Sequence, residues 1–277
     1  MRELPLPTVR KLARHRLCLG DASDGASFRA LFPVVRRADS RASLVVTSPP
    51  YYNQRDYSTW NSYDDYLADI DRVIALIAEF SADASACCWI VGDSVRDGLD
   101  IPADHSLIFR RRGFRYRDKI AWVKPTAAYS IPRSRHIDRG RYFPALRWET
   151  VLVFTRARHP RFDLEDVPLV KRYDTNVWEI QHVVGSAQSR IGHPAVFPEE
   201  LVRRCVRAYS RKNDIVLDPF LGSGTTLLVC EELRRRCFGI DISRRYFEPA
   251  ASRWSAKPEL CRDARRSASR TTPHARN

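Results

Sequence analysis

Two short segments bring together residue types and spacings suited to chemistry on a small organic ligand. The first, Asp218-Pro219-Phe220-Leu221-Gly222-Ser223-Gly224-Thr225-Thr226, follows an apolar run and opens a helical one. Its glycines let the backbone approach a ligand beside the positive end of a helix. No lysine follows the last glycine and no third glycine completes a dinucleotide fingerprint, which disfavours phosphate binding. A GxG turn alone is equally compatible with a plain strand-to-helix connection. A carboxylate about 20 residues further on, the position from which an acid reaches a ribose diol, tips the balance. That acid is Asp241, which ends the run Gly239-Ile240-Asp241-Ile242-Ser243. Asp21 ends another such run, Leu19-Gly20-Asp21-Ala22, and can contact an adenine amino group if its strand lies beside the one ending at Asp241. These pieces point to an adenosyl ligand.

The second segment, Thr47-Ser48-Pro49-Pro50-Tyr51-Tyr52-Asn53, follows the apolar run Leu44-Val45-Val46. Two prolines remove two amide donors and stiffen the turn, leaving carbonyls free to accept hydrogen bonds from an exocyclic amino group. Tyr51 offers a flat face on which a base taken out of a duplex can stack. A Ser-Pro-Pro turn is more often a simple loop; its place at a strand end is what distinguishes this one.

The elements that must position these residues follow from periodicity. Seven apolar or β-branched runs read as strands: Arg16 to Asp21, Leu44 to Thr47, Cys87 to Gly92, Lys119 to Val123, Thr150 to Thr155, Asp214 to Asp218 and Cys237 to Asp241. Between them Leu67, Ile70, Ile74 and Ile77 recur at helical spacing, as do Leu201, Val202, Cys205 and Val206, and Thr226 to Leu233 forms a further helical run. The alternation predicts a largely parallel α/β sheet. Residues 125–147, rich in Arg and Pro, and residues 157–191, aromatic and irregular, read as insertions off that sheet, and residues 255–277 read as a basic disordered tail.

Composition narrows the partner class. The chain of 277 residues carries 47 Lys and Arg against 33 Asp and Glu, a formal charge of +14, which favours a polyanion such as nucleic acid. Base composition of the coding DNA can enrich arginine as well, so charge gains weight only beside the motifs. The seven cysteines form no CxxC pair and sit in apolar runs, as buried thiols in a reducing compartment do. No apolar stretch approaches the roughly 18 residues of a membrane span, and Met1 to Leu19 lacks a signal-type apolar centre. The expected location is cytoplasmic, without membrane contact.

In this order, TSPPYYN and DPFLGSGTT resemble the catalytic and cofactor motifs of bacterial amino-group DNA methyltransferases, in the permuted, beta-type group where the catalytic motif comes first. Trp89-Ile90-Val91-Gly92-Asp93, Trp148-Glu149-Thr150-Val151-Leu152-Val153-Phe154 and His193-Pro194-Ala195-Val196-Phe197-Pro198 extend the resemblance over residues 16–255. It implies a Rossmann-like S-adenosylmethionine-dependent methyltransferase fold, α/β, with a seven-stranded, mostly parallel, circularly permuted sheet and a small inserted target-recognition region. Residues 1–124 would form the catalytic half, 125–147 a basic insertion, 148–156 the last sheet strand, 157–191 the candidate target-recognition region and 192–254 the cofactor-binding half. The family strand order also places the strands ending at Asp21 and Asp241 side by side.

The same resemblance implies S-adenosyl-L-methionine as cofactor, double-stranded DNA as substrate, no metal, and any cognate restriction endonuclease on a separate chain. Ser48 and the Pro49 carbonyl would accept the two amino hydrogens, with Pro50 in the stiffened turn and Tyr51 stacking on the flipped base. Asp21, Asp218, Phe220, Gly222, Ser223, Gly224, Thr225 and Asp241, with His193 and Phe197, would line the cofactor pocket. Asp241 stands where many relatives carry Glu, shortening its reach by one methylene. Arg133, Arg135, His136, Arg139 and Arg141, with Lys171 and Arg172, are the candidate DNA contacts, and a solvated basic surface is the alternative for each. Ser48, where adenine enzymes more often have Asp, resembles the subgroup acting on N4 of cytosine; N6 of adenine is the alternative.

Base amines are poor nucleophiles because their lone pair is delocalised, so positioning must supply most of the catalysis. Methylation at cytosine C5 needs a nucleophilic cysteine after a proline, and none of the seven follows one. A zinc deaminase needs H-x-E and P-C-x-x-C, and both are absent. A DNA-binding protein without catalysis would carry a broken motif, and both are intact; RNA as the substrate stays open. Arg55, Tyr57, Trp60 and Tyr63, just after the catalytic turn, either close over the flipped base or form an aromatic cluster.

Overall fold

A computed structural model of the chain describes residues 7–33, 40–52, 60–92, 98–125, 147–157, 162–183 and 198–255. Its strands are β1 (Thr8–Leu12), β2 (His15–Leu19), β3 (Ala42–Thr47), β4 (Ser81–Val91), β5 (Arg115–Val123), β6 (Trp148–Thr155), β7 (Val177–Glu179), β8 (Ile215–Asp218) and β9 (Arg236–Asp241). The α-helices are α1 (Gly25–Leu31), α2 (Tyr63–Phe80), α3 (Ile101–Arg111), α4 (Val167–Val170), α5 (Glu199–Tyr209), α6 (Thr225–Glu232) and α7 (Arg244–Ser255).

The strands join in one sheet of order β1-β2-β9-β8-β3-β4-β6-β5-β7. From β2 to β4 neighbours run parallel, while β6 runs antiparallel to both β4 and β5. All seven runs read from the sequence are strands, and the strand before Asp21 lies beside the one ending at Asp241, with Leu19 paired to Asp241.

Among the described residues the sheet has nine strands where seven are expected. β1 turns back on β2 and is largely solvent-facing, so its Thr-Val-Arg-Lys-Leu lacks a buried period-two stripe. β7 is three residues long, with Trp178 buried between exposed Val177 and Glu179, too short for any alternation to register. It pairs parallel with β5, so the irregular region 157–191 is not wholly off the sheet: it supplies an edge strand.

Burial explains why the central strands read as continuous apolar runs: both faces are covered. Along β4, Ala86, Cys88 and Ile90 face the core under α5, α6 and α7, while Cys87, Trp89 and Val91 face the core under α1, α2 and α3. Helix α2 starts where the Ser62 hydroxyl accepts from the Asp65 amide, with Asp64 and Asp65 in the first turn. It buries Ile70, Ile74 and Ile77 on one stripe. Helix α6 is buried nearly all round, sandwiched between α5 and α7. Six cysteines, Cys18, Cys87, Cys88, Cys205, Cys230 and Cys237, are free and buried, and no described helix is long and apolar enough to cross a membrane.

His15 fastens β2 to the C-terminal part of the chain. The Cys237 amide donates to its Nδ1 at 2.9 Å, so the ring proton sits on Nε2 and is donated to Glu231 at 2.5 Å. Burial lowers the His15 pKa and keeps the imidazole neutral, against the pull of Glu231.

Candidate functional site

In a doubly wound sheet, ligands bind beyond the carboxyl ends of the parallel strands. Here the ends of β2, β9, β8 and β3 stand in that order along one edge, which aligns Asp21, Asp241, Asp218 and Ser48 although they are far apart in the chain. Adjacent pieces are tied together: the Gly20 amide donates to the Asp241 carbonyl at 2.9 Å, and the Leu221 amide to the Ile240 carbonyl at 2.9 Å.

The glycine loop is shaped by backbone conformations that side chains resist. Gly222 has φ +50° and Gly224 φ +78°. A Cβ on Gly224 would also lie 2.8 Å from the Ala250 Cβ, so this glycine admits helix α7 against the loop. The Gly222 amide donates to Asp241 Oδ2 at 2.7 Å and the Ser243 amide to Oδ1 at 2.7 Å. Burial pushes the Asp241 carboxyl up to about 6, with those two amides pulling it back. Ser223 and Thr225 are buried with their hydroxyls 3.3 Å apart, and the Ser223 carbonyl accepts from Arg253 at 2.6 Å. Asp21 takes the Ser23 amide at 2.7 Å and hydroxyl at 2.8 Å on one oxygen, Oδ1. Directly after Asp241, Ile242 is 59% exposed, an aliphatic surface that a flat ring could cover.

Asp218 joins this loop to the Ser-Pro-Pro-Tyr turn. Its Oδ1 accepts from the Thr47 hydroxyl at 2.6 Å and the Phe220 amide at 3.1 Å, and its Oδ2 from the Thr226 hydroxyl at 2.6 Å. The carboxyl is fully buried, and desolvation raises it to about 6 despite three donors. The geometry is that of a brace between the last residue of β3 and the start of α6. Phe220 is half-buried and meets Trp89 edge to face, ring centroids 6.2 Å apart.

In the turn itself Pro49 is buried while Ser48, Pro50 and Tyr51 are half-buried. The Ser48 hydroxyl lies 3.5 Å from the Pro49 carbonyl oxygen, so the two acceptors assigned to an amino group are neighbours. The Tyr51 hydroxyl donates to Glu149 Oε2 at 3.0 Å, and the Lys124 ammonium donates to Glu149 Oε1. Lys124 also lies over the Trp122 ring, 4.7 Å from its centroid. Burial, then the Glu149 charge, raises the Tyr51 pKa well above the usual phenol value, so the hydroxyl keeps its proton. His182 stands near the same pair, its pKa lowered first by burial and then by Lys124.

Sequence reasoning gave no role to Thr47, Glu149, Thr226 and Ile242, although all four lie inside segments it singled out, and it passed over Lys124. Glu149 lies inside a segment that was singled out, but only the antiparallel direction of β6 brings its first residues to the edge where β4 and β5 end. Of the alternatives for the aromatic segment, Trp60 and Tyr63 join a cluster with Tyr52 and Tyr66, and Trp60 donates to Asp69 at 2.7 Å. Lys171 and Arg172 are exposed in a short 3-10 turn. His193, Phe197, Arg55, Tyr57, Arg133, Arg135, His136, Arg139, Arg141 and the tail 256–277 lie outside the described residues.

A family model described as DNA methylase, covering N6 and N4 enzymes, matches residues 42–252. The chain is 28% identical to the type II methyltransferase M.BglII of Bacillus subtilis, over 80% of this chain and 66% of that one, so it spans just under two thirds of that relative. It is 28% identical to the type II methyltransferase M.SmaI of Serratia marcescens, over 76% of this chain and 82% of that one. The S-adenosyl-L-methionine complex of TTHA0409 from Thermus thermophilus superposes with a TM-score of 0.64 at 25% identity, covering 88% and 94% of the two chains. The cytosine-N4-specific PvuII DNA methyltransferase shares the fold, with a TM-score of 0.67 at 20% identity over 90% and 91%.

Proposed function

Because the chain belongs to the DNA methylase family, we propose that it methylates N4 of cytosine in duplex DNA, with S-adenosyl-L-methionine as methyl donor and a base flipped out of the helix as acceptor. One observation carries this reading: the 2.6 Å bond from Thr47 to Asp218, which holds the amine-accepting turn against the glycine loop.

The residues fit the cofactor. Asp241, whose two oxygens each accept from one amide and keep a further lone pair, is assigned to the ribose diol, Asp21 to the adenine amino group and the exposed Ile242 to the adenine ring. Gly222 and Gly224 give the loop its left-handed turns, and Gly224 admits α7 behind it, where the methionine end would approach with Ser223 and Thr225 beside it and Phe220 as a wall. Bound there, S-adenosyl-L-methionine supplies a sulfonium methyl group open to displacement by an amine lone pair.

The turn prepares that lone pair. The Ser48 hydroxyl and Pro49 carbonyl accept the two amino hydrogens, which draws the nitrogen out of conjugation, and the Tyr51 ring stacks on the base. This is catalysis by placement, in which groups fixed before reaction meet no reorganisation cost during it. Ser48 in place of Asp supports cytosine as the target. The names of the two curated relatives support a role as the modification half of a type II restriction-modification pair, with the endonuclease on another chain. The regions 125–147 and 157–191 are the proposed DNA readers, and exposed Lys171 and Arg172 are suited to phosphates. Six buried free thiols suit work in the cytoplasm.

The test incubates the protein with methyl-tritiated S-adenosylmethionine and duplex DNA, then digests to nucleosides. Label in N4-methylcytosine is expected. Label in N6-methyladenine would overturn the base assignment alone, label only on RNA would overturn the substrate class, and no transfer would overturn the reading.

A further inference from the structure

We propose that Glu149, pinned by Lys124, is a positioning residue that sets the Tyr51 ring against the target base and so acts on methyl transfer through the tyrosine hydroxyl. The proposal rests on the DNA methyltransferase reading above and adds to it a device outside both sequence motifs.

The two prolines before Tyr51 stiffen the backbone, so what remains adjustable is the side chain's own pair of torsions. A phenyl ring stacking on a base from that position could swing about them. The hydroxyl removes that freedom by donating to Glu149 Oε2 at 3.0 Å. Glu149 is itself held in the sheet as the second residue of β6, where it pairs with Trp122 of β5. Its other oxygen, Oε1, takes the ammonium of Lys124 just beyond the end of β5. The Trp122 ring lies 4.7 Å from that ammonium, and Lys124 is buried. Each carboxylate oxygen therefore has its own donor, one from the catalytic turn and one from the sheet, which suits Glu149 to orientation rather than to proton removal.

Gly92, just past the end of β4, marks where the two side chains meet: a Cβ there would lie in ordinary contact with both, 3.4 Å from Glu149 Cγ and 3.5 Å from Tyr51 Cε2. An ion pair serving stability alone would have no need of the tyrosine; here the tyrosine is the one partner of Glu149 that comes from the turn said to hold the base.

The charges make a specific variant informative. In Glu149→Gln a single amide oxygen remains for two donors, and the Lys124 ammonium is the stronger claimant. The Tyr51 hydroxyl then faces the amide NH2, so its proton loses the charged acceptor and the contact is at most a reversed, neutral and weaker one in which the phenol oxygen accepts. Removing the competitor as well, in Lys124→Met/Glu149→Gln, returns the amide oxygen to Tyr51.

The experiment measures kcat and KM on duplex DNA, cofactor Kd and thermal midpoint for wild type, Tyr51→Phe, Glu149→Gln, Tyr51→Phe/Glu149→Gln and Lys124→Met/Glu149→Gln. Tyr51→Phe and Glu149→Gln should each lower kcat about tenfold, within the range that a small misplacement of a positioned group produces, at unchanged cofactor Kd. Tyr51→Phe/Glu149→Gln should fall no further than the worse single variant, since both remove the same bond. Lys124→Met/Glu149→Gln should regain most of the kcat lost in Glu149→Gln. Additive losses in the double variant, full kcat in Tyr51→Phe, or a change in thermal midpoint with kcat untouched would overturn the positioning role while leaving the methyltransferase reading intact. An inactive wild type overturns both.

Discussion

Replacing Thr47 by Val keeps the shape of the last residue of β3 and deletes one hydroxyl, the donor 2.6 Å from Asp218 Oδ1. Three donors hold that buried carboxylate, and a hydrogen bond to a charged group contributes about 1.5–3 kcal/mol. The variant should therefore lose about 2 kcal/mol of stability at pH 8, where Asp218 is ionised, equivalent to about 4–8 °C in thermal midpoint for a protein of this size. The pH dependence gives a second, sharper check. The carboxyl sits at about 6 in the fold against 3.8 ordinarily, so the folded state binds its proton more tightly than the unfolded chain. Its contribution to stability is complete below about 3.8 and declines as pH rises through about 6, as the linkage relation requires. Loss of a donor to the carboxylate raises the folded value further, so the penalty of Thr47→Val must grow with pH, from about 1 kcal/mol near pH 5, the value of a neutral hydrogen bond, to about 2 at pH 8. Thermal and urea unfolding at the two pH values would measure it. A penalty that is absent, or equal at both, would refute the account of Asp218 as an ionised brace, and an unchanged kcat would refute its role in holding the two motifs together.

Other expectations concern single contacts. Gly224→Ala meets both a left-handed backbone and the Ala250 Cβ at 2.8 Å, so it should cost more than about 1 kcal/mol in unfolding experiments and weaken S-adenosylmethionine binding by calorimetry. Asp241→Asn keeps a side chain of the same size but accepts at one oxygen only, where Gly222 and Ser243 amides now occupy two; cofactor Kd should rise about tenfold, and an unchanged Kd would remove Asp241 from the pocket. In the wild type, protonation of Asp241 as pH falls through about 6 should weaken cofactor binding in the same direction, readable as Kd against pH. His15→Ala leaves Glu231 and the Cys237 amide without their buried partner, so about 2–4 kcal/mol should be lost, with hydrogen exchange rising first in β1 and β2.

Much of the architecture is written locally. Buried strands such as Leu44 to Thr47 and Ile215 to Asp218 read as apolar runs because helices cover both faces, and α5 reads as a helix because Leu201, Val202, Cys205 and Val206 share one side. β1 and β7 escaped because edge strands need bury only one residue in two or three, and three residues hold no period. The glycines at 222 and 224 and the prolines at 49 and 50 could be recognised because each restricts or frees the backbone at its own position, whatever the rest of the chain does.

What a side chain meets is another matter. The sequence by itself determined the two motifs, their order, the strand count of the inner sheet and the presence of an acid at each of three strand ends, Asp21, Asp218 and Asp241. Only the tertiary structure decided that Thr47 and Thr226 share Asp218, that Ile242 is left exposed directly after Asp241, and that Glu149 joins Lys124 to Tyr51. Those meetings depend on strand order and direction, which arise from packing the whole sheet. Residues such as Thr47 and Asp218, 171 positions apart, carry no mark of their pairing until that sheet is assembled.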